Sequence, residues 1–241
     1  MARNKTLIEK LGLNDLLDFV YPPVCLCCDK SVEESNRLIC ADCWEKIVEF
    51  DFPFCLNCRE IVQSGERCSF CKPEEFLPVF ALGHYVDPLK EIIHQFKYYG
   101  FRKLGSELAE RLVNKHFESL GRLKIDCIIP IPLHSFREKS RGFNQAVLLS
   151  DIIGKRLGIP LVEGTLVKTR RTRDQAKLDP PGREKNIKGV FRVLSGDLKD
   201  KRVLIVDDVV TTGATVREAF NVLTDSGTRV TAIATVAVAG F

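Results

Sequence analysis

Eight cysteines of this chain fall into four pairs of identical spacing: Cys25-x-x-Cys28, Cys40-x-x-Cys43, Cys55-x-x-Cys58 and Cys68-x-x-Cys71. A CxxC pair on a tight turn presents two thiolates to one edge of a tetrahedral ion, and a second pair closes the shell. Four pairs can hold two zinc ions through sulfur alone. With no position left for water, such sites are structural rather than catalytic. Disulfides and an iron–sulfur cluster are the alternatives. Disulfides suit the pattern poorly, because Cys127 stays unpaired and the N-terminus does not read as an export signal. Its first apolar stretch is broken by Glu9, Lys10, Asn14 and Asp15, and no small-residue cleavage site follows. Pairing of the CxxC units stays open: sequential pairing gives two ribbons, interleaved pairing a cross-braced module. Cys27 reads as a bystander and Cys127 as a small core residue.

A second stretch carries chemistry of another kind: Val203-Leu-Ile-Val-Asp207-Asp208-Val-Val-Thr211-Thr212-Gly213-Ala214-Thr215. An apolar strand runs into two adjacent acids, a short Thr/Gly turn follows, and a helix begins. Gly213 lets backbone approach a ligand, and N–H groups at a helix start form an anion cradle. Thr211, Thr212 and Thr215 add hydroxyl donors. A carboxylate accepts from vicinal sugar hydroxyls. Together these residues suit a ribose 5-phosphate, with phosphate in the loop and ribose on the acids. Neither GxGxxG nor GK[ST] is present, so dinucleotide-fingerprint and Walker readings fail. A merely capped helix does not explain two adjacent acids at a strand end.

These residues need elements to position them. Leu7 to Val20 fall mostly at helical spacing, and Pro22-Pro23 ends that pattern. From about Val79 the pattern alternates. Val79–Val86 predicts a strand; Leu89, Ile92, Ile93 and Phe96 predict a helix face; Leu104, Leu108 and Leu112 predict another. Asp126–Ile131 and Arg202–Val206 read as buried strands, Phe143–Leu157 and Val216–Leu223 as helices, and Arg229–Val238 as a terminal strand. Alternation of this kind indicates an α/β fold around a largely parallel sheet flanked by helices, with ligands beyond the carboxyl ends of the strands. The expected organisation is an N-terminal helix and zinc-ribbon module over 1–76, its zinc sites built of four cysteines each, followed by a second domain over 77–241.

Charge divides along the same line. The chain of 241 residues is only +4. Residues 1–80 hold nine basic against fourteen acidic residues (net −5), and the remainder holds 27 against 18 (net +9). The stretch 133–192 has fourteen basic and six acidic residues, which focuses potential toward anions such as phosphate. An acidic cysteine module is poorly suited to bind DNA by itself. No apolar run approaches the length of a membrane-spanning helix.

The Asp207–Thr215 stretch resembles the phosphoribosyl diphosphate (PRPP) motif of type I phosphoribosyltransferases. The whole chain is similar to the ComF competence family, which joins an N-terminal zinc ribbon to such a domain. The resemblance runs through Leu17-Asp-Phe-Val-Tyr-Pro-Pro-Val-Cys25, His94-Gln-Phe-Lys97-Tyr98 and Ile129-Pro-Ile-Pro-Leu-His134. It continues through Arg137, Arg141-Gly-Phe-Asn-Gln145 and Arg170…Gln175…Arg183…Asn186…Gly189-Val-Phe191.

What the resemblance implies can be placed residue by residue. Thr211, Thr212, Gly213, Ala214 and Thr215 would grip the 5-phosphate, and Asp207 and Asp208 the ribose hydroxyls. The turn with Leu133 and His134 would be the diphosphate loop, with Arg137 and Arg141 just beyond it. Arg170–Lys185 takes the place of a flexible lid, where Arg170 and Arg183 would meet diphosphate. His94 and Lys97 are either ligand contacts or helix surface. Mg²⁺ would accompany PRPP. Enzymes of this family for 6-oxopurines carry an aspartate where Thr211 stands, which argues against a hypoxanthine or guanine substrate. The zinc module would take the place of a base-binding hood. The family's process is DNA uptake in natural transformation, with single-stranded DNA handled in the cytoplasm beside uptake-machinery proteins. Two other functions fit the same residues: a phosphoribosyltransferase of nucleotide metabolism with an unidentified acceptor, or a non-catalytic regulator that binds PRPP or nucleic acid.

Overall fold

The structure, a computed structural model, describes residues 23–32, 38–62, 68–72, 75–172, 180–194 and 198–240. The side chains of residues 180, 181, 183 and 184 are outside that description. The helix expected over Leu7–Val20 also lies outside the described residues. The chain forms two compact units that divide between Ile47 and Val48.

In the first unit the CxxC knuckle is built by backbone. Asp29 N donates to Cys25 O and Val32 N to Pro23 O, both at 2.9 Å. Asp29 sits in the left-handed region with φ 58. Helix α1, Ala41–Glu45, starts at Cys40 and buries Cys43 and Trp44.

The second unit opens with the same knuckle thirty residues on. Arg59 N donates to Cys55 O at 2.9 Å, Val62 N donates to Pro53 O at 2.7 Å, and Arg59 takes φ 66. Pro-x-Cys-Leu-x-Cys occurs at both places, at Pro23 and at Pro53. Sequence organisation groups both cysteine sets before residue 76, whereas the second set packs with the body.

That body is a five-stranded sheet in the order β1 (Phe54–Cys55), β2 (Pro78–His84), β7 (Arg229–Val238), β6 (Arg202–Val210), β3 (Cys127–Pro130). Only β1 is antiparallel to its neighbour. Parallel strands covered on both faces read as continuous apolar runs, and β2 is buried along all but its last residue. Helices α2 (Leu89–Tyr98), α3 (Arg102–Arg122) and α5 (Gln145–Leu157) follow the apolar periodicities of the sequence, and Leu89, Ile92, Ile93 and Phe96 are all buried. Helix α7, Ala214–Asp225, packs on β6 and β7. Cys127 is a core residue among Ile129, Val203 and Ile205.

Several elements go beyond the sequence reading. Strand β6 runs on to Val210, because β-branched Val209 and Val210 keep their ladder with Ala237 and Val238 of β7. Strands β4 (Leu166–Lys168) and β5 (Phe191–Val193) form a separate antiparallel pair. Helix α4 spans Ser135–Arg141. Helix α6 spans Pro180–Ile187, inside a stretch whose composition suggests a loop. Prolines at a helix start cost little, because the first N–H groups have no helical partner anyway. No helix among the described residues is long and apolar enough to cross a membrane.

Candidate functional site

Strands β3 and β6 lie side by side and parallel, so their carboxyl ends open on one edge of the sheet. Ile131 N donates to Val206 O at 2.8 Å, which carries the β3 ladder one residue into the following loop. Asn144 Nδ2 donates to Ile131 O at 3.1 Å, and its Oδ1 accepts from Ala146 N as the cap of α5. A buried asparagine therefore ties the loop after β3 to the helix behind it. Its signal in sequence is an N-cap one residue before an apolar period.

Between the two strand ends lies a cleft of about 420 Å³. Asp207, Asp208, Thr211, Gly213, Ala214 and Thr215 line it. Leu133, Arg137 and Arg141 line it as well, with Lys97 and Tyr98 of α2 and Lys168 of β4. Two residues of the expected set act differently. Thr212 Oγ1 accepts from Ala214 N at 3.4 Å, and His134 Nδ1 accepts from Phe136 N at 3.3 Å. His134 caps α4 and Thr212 bonds within the turn before α7, and neither lines the cleft. The Arg183 side chain lies outside the described residues.

The acids stand within β6, not beyond it as the sequence suggests. Neighbouring strand residues face opposite sides. Lys97 Nζ meets Asp208 Oδ1 at 2.8 Å. Asp207 feels the charges of both Lys97 and Lys168. Burial, and then the neighbouring Asp208 charge, push the Asp207 carboxyl up to about 7. Burial, and then the nearby Arg137 charge, lower the Lys168 ammonium to about 8. Lys168 has no signal in sequence, because a three-residue strand has no readable period. His94 also lines the cleft, its ring tilted against that of Tyr98 with centroids 4.8 Å apart.

Thr211 to Thr215 make the turn into α7. Gly213 caps that helix in the left-handed region, at φ 82 and ψ −2. A helix start and its dipole favour an anion there.

The cysteines form two sets of four, Cys25, Cys28, Cys40, Cys43 and Cys55, Cys58, Cys68, Cys71. Pairing is therefore sequential. The contacts are 3.9 Å for Cys25–Cys43, 3.7 Å for Cys28–Cys40, 3.7 Å for Cys55–Cys71 and 3.3 Å for Cys58–Cys68. Four sulfurs around zinc at about 2.3 Å stand about 3.8 Å apart, whereas a disulfide needs about 2.05 Å. Backbone N–H groups point at sulfur from Cys40 to Cys25 and from Phe70 to Cys68. The Cys71 thiol is raised, first by its side-chain hydrogen bond with Cys58 and then by burial. The donor sets fit structural zinc with closed shells.

Comparison with known proteins matches two domain families. The double zinc ribbon domain matches residues 16–72 and the phosphoribosyl transferase domain residues 106–240. Competence protein F of Haemophilus influenzae is 31% identical over 211 residues, covering 84% of this chain and 91% of that protein. The DNA utilization protein YhgH of Escherichia coli K12 is 30% identical over 212 residues, with 86% and 92% covered. Competence protein ComFC of Bacillus subtilis is 22% identical over 241 residues, with 86% and 91% covered.

Proposed function

The chain belongs to the ComF competence family, a phosphoribosyltransferase domain joined to a double zinc ribbon, and from that premise we propose that its cleft binds PRPP with Mg²⁺ during the handling of internalised single-stranded DNA in the cytoplasm. One observation carries the reading. Two carboxylates and a glycine-capped helix start share one cleft with Lys97, Arg137, Arg141 and Lys168.

The chemistry follows from the placement. The 5-phosphate takes the N–H groups of residues 212–215, and Asp207 and Asp208 accept from the ribose hydroxyls. The diphosphate lies toward Leu133, Arg137 and Arg141, where guanidinium forks match its oxygens. Breaking the bond from ribose C1 puts positive charge on the sugar and negative charge on the diphosphate. The acids and the cations stand ready for these charges, so the site acts by positioning and electrostatics. Among the described residues, the side-chain clusters that could hold an ion are the two cysteine sets. Mg²⁺ would be held by the diphosphate oxygens, water and one or two carboxylates, for which Asp207 and Asp208 are the acids of the cleft, and would offset the charge of the leaving group.

A surface beside the cleft supports the nucleic-acid part. A groove of about 720 Å³ shares Lys97, Tyr98, Arg137 and Arg141 with the cleft and adds Phe136 and Arg171. Tyr98 is 59% exposed and Phe136 53%. The Arg141 guanidinium lies 5.1 Å from the Tyr98 ring, and that of Arg171 lies 4.0 Å from Phe136. Exposed aromatics interleaved with arginine suit stacked bases and their phosphates.

Calorimetry with PRPP and Mg²⁺ tests the binding claim. Wild-type protein should bind, and the Asp207→Ala, Asp208→Ala double variant should lose binding while keeping its fold. Equal affinity in both would sink the assignment. Diphosphate release across a panel of bases and amines then separates the roles. Turnover with one acceptor would favour an enzyme of nucleotide metabolism. Silence with binding intact would favour DNA handling or regulation.

A further inference from the structure

We propose that the second cysteine set is a clamp on the phosphate loop, with Leu56 and Arg59 as its positioning residues. The proposal rests on the cleft reading above for its functional meaning, but its geometry stands by itself.

The two knuckles share a backbone and differ in what they present. Leu26, Cys27 and Asp29 of the first correspond to Leu56, Asn57 and Arg59 of the second. Leu26 is half-buried and Asp29 exposed, whereas Leu56 is fully buried. Leu56 packs on the phosphate loop: a Cβ placed on Gly213 would stand 2.9 Å from Leu56 Cδ1. Gly213 suits its left-handed turn by lacking a side chain, and a Cβ there would also press on Leu56.

Arg59 holds the same loop by its backbone. Its Nη2 donates to Thr211 O at 2.9 Å. A carbonyl engaged in this way is kept from turning toward an anion in the loop. Arg217 of α7 completes the contact from the other side. Its Nη2 donates to Leu56 O at 3.5 Å, and its Nη1 bonds the Asn57 side chain. Burial, and then the nearby Arg217 charge, lower the Arg59 guanidinium from its ordinary value. Two guanidiniums held together behind the loop add positive potential where a phosphate would sit.

All three knuckle residues lie between Cys55 and Cys58 or next to Cys58. Their placement depends on the thiolates being held by metal. Metal at the second set and anion in the loop are then linked, and each strengthens the other.

Hydrogen exchange on the full, zinc-loaded chain tests this without any ligand. Arg59→Ala should speed exchange of the amides of residues 211–215 by roughly tenfold or more, since it removes a hydrogen bond from a charged donor. The amides of residues 131–134 should keep their rates, and zinc should stay at two per chain by elemental analysis. Arg59→Lys should restore part of the protection. Arg217→Ala, which lies outside the cysteine set, should loosen the same amides with zinc retained. It therefore decides the matter even where Arg59→Ala loses metal. Unchanged loop exchange in the zinc-retaining variants would overturn the clamp. Ribose 5-phosphate is the binding probe, with affinity expected to fall roughly tenfold in Arg59→Ala. Should wild-type protein fail to bind that probe while the variants still loosen the loop, the cleft reading falls and the clamp stands.

Discussion

Lys97 Nζ lies 2.8 Å from Asp208 Oδ1, and each side chain keeps only 15% of its surface exposed. A cation from α2 thus holds one of the two acids of β6. Removing one partner strands the other in a poorly solvated place. Lys97→Met should cost about 1–3 kcal/mol of stability. Lys97→Met with Asp208→Asn should cost less than the two single changes added together. Denaturant unfolding of the four proteins measures this coupling. Strict additivity would show that the pair contributes nothing.

The pH dependence of ligand binding follows from the other acid. Asp207 must be ionised to accept from two hydroxyls, and its carboxyl is raised to about 7. Lys168 must be protonated to attract phosphate, and its ammonium is lowered to about 8. Affinity for ribose 5-phosphate should therefore rise up to about pH 7 and fall above about pH 8, by at most about tenfold per pH unit for each titrating group. The ligand's own phosphate titrates near pH 6 and adds to the rising side. Asp207→Asn separates the two contributions, because it removes only the protein's part. Lys168→Gln should flatten the alkaline side. An alkaline side that survives Lys168→Gln would reject that lysine as its source.

Sequential pairing gives the zinc sites separate fates. Cys28→Ser and Cys58→Ser should each leave about one zinc per chain, and the double variant none. Elemental analysis on reduced protein reads this directly. A single change that emptied both sites would indicate shared ligands. Each structural zinc contributes an apparent 10–16 kcal/mol in small zinc domains, about the scale of a whole domain's stability. Chelation should therefore unfold the residues around the cysteines.

The parts legible in sequence are those written in consecutive residues. Val203–Val206, the two acids and Gly213 spell strand, ligand end and helix start in one run, and the CxxC spacing spells its own chemistry. The apolar periods of α2, α3 and α5 are equally plain, because each buries one face. What stays hidden depends on tertiary contact. Lys97 reads as either a ligand contact or helix surface until Asp208 is brought to it by the sheet. Leu56 looks like a spacer inside a metal knuckle until Gly213 arrives from 157 positions on. Lys168 sits in a strand too short for a pattern. The extension of β6 to Val210 escapes the pattern because two acids interrupt its apolar run, although the ladder to β7 does not stop for them.

The groove beside the cleft predicts how single-stranded DNA would be held. Tyr98 and Phe136 offer exposed rings, and Arg141 and Arg171 lie over them. Stacking is tolerant of sequence and worth about 1–3 kcal/mol per base, whereas a phosphate contact shows itself in the salt dependence. Tyr98→Ala and Phe136→Ala should each weaken binding of a short oligonucleotide by roughly tenfold without changing the slope of affinity against salt. Replacing Arg171 with Ala should lower that slope by about 0.7 for each phosphate that its guanidinium neutralises. Titrations at several salt concentrations separate the two effects. Aromatic variants that bind as well as wild type at every salt concentration would move the DNA contact elsewhere on the basic body.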